Sequence, residues 1–185
     1  MTTSSDASRG TQAFVGAGVG AATILGLGVL CLVAMTPRVV SNPEMMIGVI
    51  PAMLTMGLLI AIPSLLIAAA GGAMCGPLVA RLVVFLKLPT LAFPIILAIL
   101  VSPFALLPVI QHVLWLHDTV RGVYSGGFRT VFESQPWRQF WPLAPIAFCL
   151  SLIAGIGLTS RALSIPITAV SRWWQPLDQE AWSRA

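Results

Sequence analysis

Long apolar runs alternate with short polar segments along the chain. Residues 13–35, AFVGAGVGAATILGLGVLCLVAM, contain no charge, and neither do residues 46–70 or 142–159. Residues 91–116 contain one ionisable side chain, His112, near their end. A membrane-crossing helix needs about 20 mainly apolar residues, because the hydrocarbon layer is roughly 30 Å thick and each residue rises about 1.5 Å. The pattern therefore predicts an all-α polytopic membrane protein with spans over 13–35, 46–70, 91–116 and 142–159.

Between the second and third spans, residues 77–88 are apolar except for Arg81 and Lys87 and are too short to cross, which predicts a brief interfacial helix. Polar stretches at 1–12 and 175–185 read as mobile tails flanking one helical bundle over 13–174. Residues 13–35 exceed the apolar core of a usual signal peptide and lack a small-residue cleavage pattern, so they read as a retained span.

Composition supports a bilayer as solvent. The 185 residues are 57% hydrophobic and 9% charged, against about 25% charged in soluble domains. The formal charge is +4, yet the basic residues are scattered singly rather than in a stripe, which argues against nucleic acid and suits anionic headgroups. Arg9, Arg81, Lys87, Arg161, Arg172 and Arg184 fall on one side of a four-span topology, and Arg38, Arg121, Arg129 and Arg138 on the other. Six against four places both termini in the cytoplasm of a bacterial inner membrane.

Small residues recur at helical spacing. Gly16 with Gly20 and Gly72 with Gly76 form GxxxG pairs, and Ala147, Ser151 and Gly155 repeat every four residues. Such stripes let helix backbones approach closely, either within the chain or with another membrane protein. The GAGVG of residues 16–20 lacks the strand and lysine of a phosphate loop. Prolines at 51, 63, 94, 103 and 108 predict kinks; Pro51, Pro63, Pro94, Pro103 and Pro108 each remove one backbone hydrogen bond. Pro103 would free the Ile99 carbonyl, which then needs a partner. Trp115, Trp137, Trp141, Trp173 and Trp174 flank the spans as an interfacial belt.

Candidate chemistry is confined to His112, His117, Asp118 and Glu133. His112 and His117 are five apart, about 140° around a helix, so an unbroken helix cannot aim both at one metal; a chain folded back after Leu116 would bring His112, Asp118 and Glu133 together as ligands or as acid and base. In that case Arg121 or Arg129 could hold an anionic headgroup. Cys31, Cys75 and Cys149 lie far apart without a CxxC, which implies no disulfide and no structural zinc. No metal and no cofactor is expected. The reading that results is a non-catalytic membrane subunit or accessory protein that associates with another membrane protein or with itself. The alternatives are a passive small-solute pore or carrier, and a membrane-surface enzyme using residues 111–141.

Overall fold

A computed structural model describes the backbone of residues 4–40, 43–121 and 143–183, with side chains over most of 8–30, 61–107 and 143–182. The fold is all-α. Four long helices, α1 (Ser4–Val40), α2 (Pro43–Phe85), α3 (Ala92–Arg121) and α4 (Leu143–Ala162), are followed by two short ones, α5 (Val170–Trp173) and α6 (Gln179–Ser183). Among the described residues, three stretches are long and apolar enough to cross a membrane: Ser8–Leu30, Ala61–Phe85 and Leu143–Ala162. The part of α3 whose side chains are described, Ala92–Leu107, is also apolar and packs among them.

Two elements differ from the pattern reading. Ser8 and Gln12, in the segment expected to be a polar tail, are buried on α1, and Gln12 Nε2 donates to Ser8 Oγ at 3.1 Å. The amino-terminal residues from Ser4 onward are therefore helix rather than a free tail. In addition, residues 46–70 and 77–85 belong to one unbroken helix of 43 residues, about 64 Å long. The separate interfacial helix expected near 77–88 does not form. Pro77 lies inside α2, where membrane helices tolerate the lost bond.

What stops α2 is a C-terminal motif. The Leu88 N–H donates to Val83 O at 2.9 Å and the Lys87 N–H to Val84 O at 3.1 Å. Lys87 takes a left-handed conformation with φ 50°, the geometry of a Schellman ending, and Pro89 follows. α4 ends identically: Ile165 N–H donates to Ser160 O and Ser164 N–H to Arg161 O, with Ser164 at φ 52° and Pro166 next. Both motifs use a side-chain-bearing residue where glycine is usual, so no glycine marks either stop.

α3 runs continuously past its prolines to Arg121. Pro94 is not a kink: it lies in the first turn, where backbone N–H groups have no intrahelical partner to lose. Pro103 does free the Ile99 carbonyl, and the neighbouring Ser102 Oγ donates to it at a long 3.5 Å. A side-chain hydroxyl thus supplies part of what the proline ring removes.

Residues 163–183 form a strap across this end of the bundle. Leu91 N–H donates to Trp173 O, Thr90 N–H to Gln175 O, and Leu177 N–H to Leu88 O; Thr90 Oγ1 adds a second bond to Gln175 O at 3.0 Å. Asp178 accepts the Ala181 N–H at 2.7 Å and caps α6. The tail expected to be mobile is instead docked, because two of its residues are large and apolar. Leu177 and Trp182 join Val15, Val79, Phe93 and Leu97 in one core cluster. Trp182 is 1% exposed, and its ring meets Phe93 edge to face at 5.0 Å.

The Trp182 indole N–H has no hydrogen-bond partner, a burial that costs about 1–3 kcal/mol. Trp182→Ala, which empties the site, is expected to destabilise by about 3–5 kcal/mol. Trp182→Phe keeps the ring, removes the unpaired donor and should cost less than about 1.5 kcal/mol. Reversible unfolding in mixed micelles measures both, and equal losses would contradict the packing role.

Candidate functional site

The small-residue stripes converge on one another. A methyl group on Gly16 would overlap the carbonyl of Gly72, and one on Gly72 would overlap the carbonyl of Gly16. Gly20 faces the Ala68 carbonyl in the same way, and Gly76 that of Gln12. Residue numbers rise by four on α1 as they fall by four on α2, so the helices run antiparallel in backbone contact over three turns. Each glycine Cα–H addresses a carbonyl, contacts worth about 0.5–1 kcal/mol apiece. The two GxxxG pairs are thus each other's partners.

The α4 stripe is also internal. Ala147, Ser151, Gly155 and Thr159 are the buried residues of α4. A side chain on Gly155 would press on Pro94 of α3. Thr23 Oγ1 donates to Val19 O at 2.7 Å and lies 2.8 Å from Ser151 Oγ. A hydroxyl has one proton, so Ser151 is the donor in that second bond. This hydroxyl pair links the middle of α1 to the middle of α4. Thr159 Oγ1, on the same stripe, is buried with no hydrogen-bond partner.

Thr23, Ser8, Gln12 and Thr159 were not among the residues the sequence singled out. Thr23 follows Gly16 by seven residues and Thr159 follows Gly155 by four, so extending each stripe along its own face would have found both. Trp182 carried no such signal.

α3 stays helical through Leu116 to Arg121, so the chain does not fold back directly after Leu116, and His112 and His117 keep backbone positions about 140° apart. Their side chains, with those of Asp118, Pro51, Pro108 and Trp115, lie outside the described set, and Glu133, Trp137 and Trp141 lie outside the described residues. Among the described residues, no group of three His, Cys, Asp or Glu could hold a metal ion. Pro63 and Pro103 stand on exposed positions of their helices. The two strap tryptophans separate: Trp173 is buried and donates from Nε1 to Pro166 O at 3.3 Å, which removes it from an interfacial belt, whereas Trp174 is 64% exposed.

One end of the bundle gathers charge. Arg9, Arg81, Lys87, Arg161 and Arg172 come from α1, α2, the α2–α3 turn, α4 and α5, and all five are exposed. Asp178 and Glu180 are the carboxylates described at this end. Asp6 lies near the start of α1 at the same end, so among the described residues five cations and three acids give this end +2, while Arg38 and Arg121 balance Glu44 and Asp118 at the other.

Gly72→Ala should destabilise the α1–α2 pair by about 1–3 kcal/mol through overpacking against backbone, whereas Gly28→Ala, which meets open space, should be neutral or slightly stabilising. Ser151→Ala should cost about 0.6 kcal/mol and at most about 1.7, since Thr23 keeps its bond to Val19 O. Unfolding of the three variants in the same micelles orders them, and a Gly28 variant as damaged as the Gly72 variant would refute the assignment.

Comparison with known protein families, with curated proteins and with solved structures finds no match to this chain.

Proposed function

We propose that this chain is a non-catalytic, multi-pass protein of a bacterial inner membrane, a subunit or accessory component that packs against another membrane protein. All four long helices cross in this reading, and both termini, with the strap, lie on the cytoplasmic side, where the larger positive charge belongs.

The observation that carries the reading is a mismatch of helix lengths. Leu158 packs at Gly18 and Leu150 at Gly26, so α4, which begins at Leu143, starts level with about residue 33 of α1. α1 continues to Val40, α2 begins at Pro43, and α3 runs on to Arg121. The α1–α2 hairpin and the second half of α3 therefore extend past α4, and their sequence there remains largely apolar, as in PEMMIGVIPAMLTMGLLI of residues 43–60. Among the described residues no fourth helix flanks this part of the hairpin, and we read its apolar sequence as a surface suited to a neighbouring membrane protein.

The small-residue stripes are occupied inside the chain, so the partner contact moves from those stripes to the projecting hairpin. Purification from native membranes in mild detergent should yield a stable complex with a different protein, and Met53→Arg in the hairpin should dissociate it while the chain stays folded. A lone monomer or homo-oligomer would overturn the proposal.

A further inference from the structure

Two independent features coincide at the strap end of the bundle. The first is the ring of exposed cations. Arg161 occupies the last turn of α4, immediately before the strap. Arg172 precedes Trp173, whose carbonyl is bonded to Leu91, and Lys87 precedes Leu88, whose carbonyl is bonded to Leu177. These bonds tie the Arg172 segment to the Lys87 turn. Arg9 and Arg81 lie beyond the Gln12–Gly76 contact in the same direction along their helices, so they rim the same end. The second feature is apolar. On the strap itself Ile167, Val170 and Trp174 are 61%, 62% and 64% exposed, while Leu163, Trp173 and Leu177 are turned inward. A short segment that hides one set of apolar side chains and presents another beside cations has the chemistry of a headgroup-layer element: the indole and aliphatic groups enter the acyl boundary, and the cations remain at phosphate depth.

We infer that the strap end is a binding surface for the phosphodiester headgroups of anionic lipid, held by Arg161, Arg172 and Lys87, with Trp174, Val170 and Ile167 seated in the adjoining acyl region. The inference needs only that the bundle lies in a bilayer, and it stands whether or not a protein partner exists. Among the described residues the net charge is +2 at this end and zero at the other, which favours anionic over zwitterionic lipid. An acidic protein would not account for the three exposed apolar side chains among the cations.

Electron spin resonance with spin-labelled lipid tests this on the full chain in phosphatidylcholine vesicles. Labelled phosphatidylglycerol should associate more strongly than labelled phosphatidylcholine. Arg172→Gln should lower that preference up to about fivefold, and the triple Lys87→Gln, Arg161→Gln, Arg172→Gln variant should abolish it. Arg38→Gln with Arg121→Gln at the opposite end should leave it unchanged. Trp174→Ala, which keeps every charge, should weaken association of both lipids. Equal association of the two lipids with the unaltered chain would overturn the inference, as would a preference that survives the triple variant or vanishes in the opposite-end variant. Because the three cations are exposed, their variants should keep the fold, and Arg172→Gln alone decides the matter if the triple variant loses helix content.

Discussion

Everything in this bundle is registered by the contact between two backbones. Where Gly16 and Gly20 of α1 meet Gly72, Ala68 and Gly76 of α2, no side chain larger than a methyl separates the helices. In a bilayer, lipid tails are as apolar as leucine, so helices gain little from burying apolar surface against each other; close packing and weak hydrogen bonds must hold them. The glycine contact supplies both. It also sets the axial positions of the helices, because sliding by one residue would drive side chains into carbonyls. With α1 and α2 fixed, the face formed by Thr23 and its neighbours accepts the small stripe of α4, and Ser151 Oγ comes within 2.8 Å of Thr23 Oγ1. Pro94 of α3 then closes on Gly155.

That contact also fixes how α2 lies against α1. The helix runs unbroken from Pro43 to Phe85, and the contacts of Ala68, Gly72 and Gly76 with Gly20, Gly16 and Gln12 set its second half against the first half of α1, which carries Arg81 to the end of the pair. Arg81 is accommodated at the helix end, exposed, with its stem along the protein surface. Hydropathy locates residues that tolerate lipid; steric complementarity decides which of them have neighbours.

Much of the architecture was legible in the chain for reasons that follow from this. Helical class, the glycine and small-residue stripes and the carbonyl freed by Pro103 depend on local spacing, which the sequence states directly. What the stripes touch is a relation between distant segments, and spacing does not reveal it. The stops at Lys87 and Ser164 escaped notice because their left-handed residues carry side chains. The strap escaped for a different reason: QPLDQEAWSRA is polar on average, and an average conceals that Leu177 and Trp182 alone supply enough apolar surface to dock it. Of the candidate chemistry, the angular separation of His112 and His117 was legible from their spacing, and the unbroken course of α3 leaves that separation in force.

The strap shows how a short polar tail becomes part of a membrane bundle. Its backbone is bonded to the α2–α3 turn at Leu88, Thr90 and Leu91, so the orphan groups that such a turn leaves behind are satisfied by protein rather than by headgroup water. Trp182 then reaches the core beside Val15 and Phe93, bringing the carboxy terminus against the start of α1. Two ends of the chain that sequence places 170 residues apart thus share one packed layer, with cations drawn from five separate segments spread around it. The same anchoring that buries Trp173 and Trp182 forces Trp174, Val170 and Ile167 outward, since consecutive residues of so short a helix cannot all face the core. Their exposure is a geometric consequence of docking the strap, and it places exposed apolar side chains on the same segment as exposed Arg172.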